Sequence, residues 1–238
     1  MNEVIERIYR SGHVEDAQGN VYRLVSSVTY EVGIVLHQLV RALKPSRTVE
    51  VGMAYGLSTL FICQALRDNG SGHHTAIDPL QEARFKTIGL LNMERASLRY
   101  LLRFYQAPSD EVLPQLRVQN ERFDFAFIDG NHRFDYTLVD FFYLDKLLDI
   151  GGHIALDDLW IPSVRKVASF ILKNMPYELV RPPSTRKTPA WKWGLRVGRR
   201  ILQNPLGRDW ALKCVPENIA VFKKISADQK AWRHDRAF

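Results

Sequence analysis

Short apolar segments that alternate with helical segments are the feature that most constrains the fold of this chain. Seven segments have the length and composition of strands, namely 47–51, 74–77, 98–104, 123–128, 153–156, 177–180 and 219–223. Continuous apolar strands are typical of a parallel sheet that is covered by helices on both faces. The pattern therefore predicts an α/β fold, Rossmann-like and doubly wound, with a mostly parallel seven-stranded sheet and its site at the carboxyl ends of the strands.

Helical periodicity occupies most of the intervals between these segments. Apolar positions at 3.6-residue spacing predict helices at 30–43, 56–68, 80–92, 110–116, 134–148 and 163–174. The pair Gly151-Gly152 predicts a break in the chain ahead of the strand at 153. Each predicted strand from 47 to 156 is thus separated from the next by a helical or turn segment.

The chain divides into three predicted parts. Residues 1–46 are expected to form an N-terminal helical cap, 47–225 the main domain, and 226–238 a polar tail. Residues 182–216 interrupt the alternation with a basic, tryptophan-rich insertion. Its tryptophans could stack on a planar or sugar acceptor, and the alternative is a solvated face over a small apolar cap.

The basic charge of the chain is concentrated in one stretch. Nine basic residues and one acid in 181–213 give +8, whereas the whole chain carries +7. Nucleic acid is therefore disfavoured as a partner, although the basic stretch leaves RNA open. The sequence has no transmembrane segment and a charged N-terminus, and it has only two cysteines, so we expect a cytoplasmic protein.

A glycine-containing turn follows the first strand of the predicted sheet. It reads Glu-Val-Gly-Met-Ala-Tyr-Gly-Leu-Ser, with Gly52 and Gly56 between strand and helix. Two glycines here let the backbone approach a ligand, and the helix that follows offers free N–H groups. Ala54 occupies the second glycine position of the dinucleotide fingerprint, which disfavours a dehydrogenase.

The spacing E-x-G-x-x-x-G-x-S resembles the glycine-rich motif of class I S-adenosylmethionine-dependent methyltransferases. Asp78, at the end of the next strand, matches the family's ribose-binding carboxylate, and Ser109 and Asp110 match the segment that flanks the adenine. All three are also ordinary helix-cap residues, and that alternative stays open. The resemblance implies cofactor contacts from Glu50, Gly52, Gly56, Ser58, Asp78, Ser109, Asp110 and Asp129.

Carboxylates follow two further strands. Asp129 comes after the strand at 123–128, and Asp157 and Asp158 come after the strand at 153–156. In a parallel sheet these ends open on one edge, where like charges raise one another's pKa or require a cation. Oxygen ligands of this kind suit Mg²⁺ or another divalent ion.

The pattern D-x-x-H and the later Asp-Asp pair resemble the metal-dependent O-methyltransferases, and most closely the branch that acts on sugars and natural products. Catechol and caffeoyl-coenzyme A methyltransferases usually have lysine in place of His132 and asparagine in place of Asp158. The resemblance implies that Asp129, Asp157 and Asp158 hold the metal. It also implies that His132 takes the proton of the hydroxyl group that is methylated, with Asp129 beside it in the catalytic centre.

The sequence therefore predicts a methyltransferase that transfers a methyl group from S-adenosylmethionine to a hydroxyl of a small acceptor, assisted by Mg²⁺ or a similar ion. We also expect a homo-oligomer. Two alternatives stay open: a metal-independent methyltransferase that acts on RNA or another acceptor, and a non-catalytic cofactor-binding module.

Overall fold

The computed structural model describes residues 1–181, 218–229 and 236–238, together with 194, 195, 197, 198, 212 and 215. The helices are α1 (Glu3–Ser11), α2 (Tyr30–Leu43), α3 (Leu57–Asn69), α4 (Ile88–Arg95), α5 (Ser109–Val118), α6 (Phe134–Leu147) and α7 (Pro162–Asn174). The strands are β1 (His13–Glu15), β2 (Val21–Arg23), β3 (Arg47–Val51), β4 (His73–Ile77), β5 (Leu102–Tyr105), β6 (Phe123–Ile128), β7 (Leu148–Leu156), β8 (Tyr177–Val180) and β9 (Ala220–Lys224).

Seven of these strands form one sheet in the order β5-β4-β3-β6-β7-β9-β8. The first five strands in this order, β5, β4, β3, β6 and β7, are parallel to one another, and β9 runs antiparallel to both β7 and β8. The order reverses between β3 and β6, which is where ligands bind in sheets of this type. The prediction of a doubly wound, mostly parallel seven-stranded sheet is confirmed.

Helices cover both faces of the sheet. Strand β6 shows how the chain supplies two apolar layers, because alternate side chains point to opposite faces. Phe125 and Phe127 join the cluster that contains α1 to α4, and Ala126 and Ile128 join the cluster that contains α5 to α7. All four side chains are buried, which explains the nearly continuous apolar run in the sequence.

The N-terminal region contains more than the predicted helical cap. After α1, strands β1 and β2 pair as an antiparallel hairpin, which the sequence analysis did not predict. The turn is closed by Asp16, whose carboxylate accepts hydrogen bonds from the side-chain amide of Asn20, from the backbone of Asn20 and Gln18, and from the hydroxyl of Tyr22. These donors lower the pKa of Asp16 to about 2.

Three predicted boundaries are wrong. The strand predicted at 98–104 begins only at Leu102, after a 3₁₀ turn at Arg99–Leu101. The helix predicted at 80–92 is displaced, because residues 79–87 form turns and α4 runs from Ile88 to Arg95. Strand β7 continues through Gly151-Gly152 instead of starting after it. Gly151 has a φ of +87°, and the pairing with β6 shifts register nearby, so the glycines form an irregularity within the strand.

The end of the described chain contacts α7. The side chain of Asn174 hydrogen-bonds the backbone of Arg236, and the ring of Phe238 packs edge-on against Phe170. The predicted insertion at 182–216 lies almost wholly outside the described residues. Within the described part of the chain, no helix combines the length and the apolar character of a membrane span.

Candidate active site

The backbone ladder of the sheet continues one residue beyond several strands. Beyond β4, the N–H of Asp78 donates to Tyr105 O at 3.0 Å, and beyond β3 the N–H of Gly52 donates to Ile77 O at 2.9 Å. The N–H of Asp129 likewise donates to Val51 O at 2.9 Å, and that of Asp157 to Ile128 O at 3.2 Å. The sheet thereby fixes the backbone of one glycine and three aspartates in a row along its carboxyl edge.

The turn between β3 and α3 depends on both of its glycines. Gly52 has a φ of +91° and Gly56 a φ of +78°, in the region that favours glycine. A Cβ on Gly52 would lie 2.2 Å from the backbone oxygen of Asp129, and one on Gly56 would lie 3.0 Å from that of Gly89. The turn therefore packs directly against the segment that carries Asp129.

Asp78 supports this turn from β4. Its Oδ2 accepts hydrogen bonds from the N–H groups of Met53 at 3.1 Å and Ala54 at 2.7 Å. Its Oδ1 accepts one from the N–H of Leu80 at 2.7 Å. The carboxylate thus orders the glycine turn and the chain after β4, and Oδ1 keeps the capacity to accept a further donor.

Glu50, the fourth residue of β3, lies fully buried under the turn. Its Oε1 accepts a hydrogen bond from the Thr59 hydroxyl and lies 3.2 Å from Nε2 of His74, while its Oε2 has no partner. His74 is also fully buried, and its Nδ1 lies 2.7 Å from the Thr48 hydroxyl. The sequence analysis assigned no part in the site to His74, although its position in β4, one strand from Glu50, is a signal that pairing could have revealed.

Three of the predicted residues converge beyond β6 and β7. Asp129, His132 and Asp158 each offer one ligand atom, and these atoms lie within 4.8 Å of one another. The Nε2 atom of His132 lies 3.4 Å from Oδ2 of Asp158. The loop that carries His132 is held by the Ser163 hydroxyl, which donates to the backbone oxygen of His132.

Asp157 lies next to this group without belonging to it. Its side chain is buried, and its Oδ1 has no hydrogen-bond partner. Burial and the charge of Asp158 raise the pKa of Asp157 to about 7. Burial and the charges of Asp157, Asp158 and Glu50 raise the pKa of Asp129 well above its usual value. The edge of the sheet therefore brings together carboxyl groups that are costly to ionise together, and a cation would favour their ionised form.

Comparison with known proteins connects this arrangement to one family. Residues 49–159 match the family described as a methyltransferase domain. This part of the chain is therefore similar to a methyltransferase domain. The matched segment contains the glycine turn, Asp78, the group of three ligand residues and Asp157.

Curated relatives of this chain include plant O-methyltransferases. A caffeoyl-CoA O-methyltransferase from Populus kitakamiensis is 33% identical over 148 residues, with 59% of this chain and 58% of the relative covered. A flavonoid 3',5'-methyltransferase from Vitis vinifera is 29% identical, with 61% of each chain covered. The chain spans about three fifths of the length of these curated relatives. By their names, neither relative belongs to the branch of sugar and natural-product O-methyltransferases that the sequence motifs resemble most closely.

Solved structures support the fold. An O-methyltransferase from Bacillus cereus in complex with SAH has a TM-score of 0.62 at 20% identity, covering 76% of this chain and 83% of the other. The O-methyltransferase TomG from Streptomyces achromogenes, in complex with SAM, has a TM-score of 0.64 at 15% identity, covering 95% and 91%. Together with the family match and the curated relatives, they confirm the predicted resemblance to class I methyltransferases.

The remaining predicted cofactor residues lie at the starts of two helices of the methyltransferase fold. Ser58 is buried in the first turn of α3, and Ser109 begins α5, where Asp110 is exposed. The Ser109 side chain hydrogen-bonds Asp140 of α6, a buried carboxyl whose pKa burial raises to about 6. Their cofactor roles stay predictions, and Ser109 has a structural partner in addition.

Proposed function

We propose that this chain is an S-adenosylmethionine-dependent O-methyltransferase that acts, with a divalent cation, on a hydroxyl of a small acceptor such as a sugar or a natural product. One observation carries the proposal: the glycine turn packs against the backbone of Asp129, whose side chain belongs to the convergent group with His132 and Asp158. A cofactor held at the turn and an acceptor held at the group would be neighbours.

The residues at the turn fit a sulfonium nucleoside. Gly52 and Gly56 let the turn pack closely on the rest of the sheet edge, and α3 begins without a side-chain cap, so its first N–H groups are available to a ligand. The unpartnered Oε2 of Glu50 offers a buried hydrogen-bond acceptor under the turn. We assign cofactor binding to Glu50, Gly52, Gly56, Ser58, Asp78, Ser109, Asp110 and Asp129.

The acids fit a divalent cation. Two carboxylates and one imidazole offer ligand atoms within 4.8 Å of one another, and burial beside other acids raises the pKa values of Asp129 and Asp157, which a bound cation would lower again. We assign the ion to Asp129, Asp157 and Asp158, of which Asp129 and Asp158 belong to the convergent group. A bound Mg²⁺ would orient acceptor oxygens and lower the pKa of the hydroxyl to be methylated.

His132 is proposed as the base that accepts the proton of the acceptor hydroxyl. The cofactor would supply the methyl group and leave as S-adenosylhomocysteine, and the imidazole of His132 would accept the proton that the acceptor hydroxyl loses. The reaction is an in-line displacement, so alignment of the oxygen, methyl and sulfur supplies much of the rate. Fixing the backbones of Gly52 and Asp129 against each other serves that alignment.

The test has two stages. Calorimetric titration with S-adenosylhomocysteine, with and without Mg²⁺, measures cofactor binding, and a panel of phenolic and sugar acceptors then measures transfer with and without a chelator. Asp129→Asn should lose the stimulation by Mg²⁺. Asp68→Asn is the matched control, because Asp68 lies near the far end of α3, about 17 Å along the helix from the turn. A lack of S-adenosylhomocysteine binding, or a rate insensitive to both chelator and Asp129→Asn, would contradict the proposal.

We also propose that the protein is a homo-oligomer and that it is located in the cytoplasm. Size-exclusion chromatography with light scattering tests the first, and cell fractionation tests the second. A monomer at micromolar concentration, or a protein found in the membrane or secreted fraction, would contradict them.

A further inference from the structure

Asn218 lies opposite the loop that carries Asp158. Strands β7 and β9 pair antiparallel, with His153 opposite Lys223 and Leu156 opposite Ala220. Extending this register by two residues places Asn218 opposite Asp158. The N–H of Leu159 donates to the backbone oxygen of Asn218 at 3.1 Å, so contact between the two segments continues beyond the last strand pair.

The side chain of Asn218 adds two further hydrogen bonds to the same loop. Its Oδ1 accepts from the N–H of Trp160 at 2.9 Å, and its Nδ2 donates to Oδ1 of Asp158 at 3.3 Å. Asn218 therefore contacts three consecutive residues, Asp158 to Trp160. A primary amide suits this position because it carries an acceptor and a donor on one short side chain.

The Asp158 carboxylate is oriented by these contacts. Its Oδ1 accepts from Asn218 and from the indole Nε1 of Trp160, which lies at 2.7 Å. Its Oδ2 is the atom that lies 3.4 Å from Nε2 of His132. One carboxylate oxygen is thus occupied by protein donors, and the other faces the group formed with Asp129 and His132.

The backbone of Asp158 also needs support. Its φ is +56°, in the left-handed region, which a residue with a Cβ adopts only where its surroundings hold it. Asp129 and Asp157 receive backbone bonds from neighbouring strands, but Asp158 lies one residue beyond that row. The bonds from Asn218 take the place of the sheet at this position.

We propose that Asn218 is a positioning residue that holds the Asp158 loop, so that Oδ2 of Asp158 faces the divalent cation. The inference rests on the proposed function. Hydrogen-bond partners of metal-ligating groups fix the orientation of the ligand, and their removal typically weakens metal binding about 10- to 100-fold. Asn218 lies 60 positions from Asp158 in sequence and belongs to no motif of the family match at 49–159.

The test measures metal and cofactor binding separately. Mn²⁺ binding is followed by electron paramagnetic resonance, which requires no turnover, and S-adenosylhomocysteine binding is followed by calorimetry. We expect N218A to bind Mn²⁺ about 10- to 100-fold more weakly than the wild type and to keep its affinity for S-adenosylhomocysteine. A purely structural role would lower both affinities together.

Asn174→Ala is the matched control. Asn174 also holds a distant segment through both atoms of its amide, at Arg236, but it lies in the last turn of α7. This variant should bind Mn²⁺ like the wild type. A loss of Mn²⁺ affinity equal to that of N218A would overturn the inference.

Trp160→Phe keeps the proposal testable if N218A does not fold. Trp160 is 61% exposed, so the change removes the indole donor to Asp158 with little effect on packing. Trp160→Phe should also weaken Mn²⁺ binding. In N218A, hydrogen exchange at the backbone amide of Trp160 should be faster than in the wild type. If N218A and Trp160→Phe both bind Mn²⁺ with the affinity of the wild type, the inference is overturned and the proposed function is not. If the wild type binds no Mn²⁺, the metal part of the proposed function fails, and the inference fails with it.

Discussion

Gly52→Ala tests the link between the glycine turn and the acids most directly. The new Cβ would lie 2.2 Å from the backbone oxygen of Asp129 and 2.8 Å from Cα of Gly130. Both are backbone atoms of a segment bonded to β3, so no side-chain rotation relieves the clash. The φ of +91° adds strain of about 1–2 kcal/mol, and overpacking adds about 1–3 kcal/mol. We expect the free energy of unfolding to fall by about 2–5 kcal/mol.

Gly12→Ala separates the two contributions. Gly12 also has a positive φ, +69°, but a Cβ there would have nothing within 4 Å. It should cost only the strain, about 1–2 kcal/mol, in urea unfolding followed by circular dichroism. In calorimetry Gly52→Ala alone should weaken both S-adenosylhomocysteine and Mn²⁺ binding. If the two variants lose equal stability and both bind like the wild type, the close packing of turn and acid segment is not what the site requires.

Three further predictions follow from single side chains. Asp140→Asn removes a carboxyl whose pKa burial raises to about 6. The folded chain binds this proton more tightly than the unfolded chain. As the pH rises from about 4.5 to about 7.5, the free energy of unfolding of the wild type should therefore fall by about 2 kcal/mol relative to that of the variant. The prediction is contradicted if urea unfolding gives both proteins the same dependence on pH. His132→Ala should lower kcat about 10²- to 10⁴-fold while Mn²⁺ affinity is kept; a parallel loss of Mn²⁺ affinity would make His132 a ligand instead. Asp78→Ala should weaken S-adenosylhomocysteine binding at least about tenfold, because the N–H groups of Met53 and Ala54 lose their acceptor; unchanged calorimetric affinity would count against that role.

The sheet was predictable because its strands are buried on both faces. A residue such as Phe125 or Ala126 is apolar whichever face it occupies, so the run itself marks the strand. The glycine turn was predictable for a related reason, since Gly52 and Gly56 mark positions where side chains do not fit. In both cases a local requirement leaves a local trace in the sequence.

The features that the sequence did not reveal depend on distant partners. The run through Gly151 looks like a break until β6 lies beside it. His74 gives no local signal, because its partner Glu50 lies on the neighbouring strand. The different surroundings of Asp157 and Asp158 were not predictable for the same reason. The two residues are adjacent at a strand end, and only the fold decides which other residues each side chain contacts.

The separation of Asp157 from Asp158 also explains how one strand end can serve two purposes. The backbone of Asp157 is bonded to Ile128 O, in the row that the sheet ladder fixes, and its side chain is buried where its pKa is raised to about 7. Asp158 leaves that row through a left-handed backbone conformation and turns its carboxylate toward His132. Three acids so close together oppose folding unless their charge is offset, and an ion that binds only the folded state stabilises it by mass action. The convergence of acids that would destabilise the chain without an ion would therefore couple its stability to the cation of the proposed reaction.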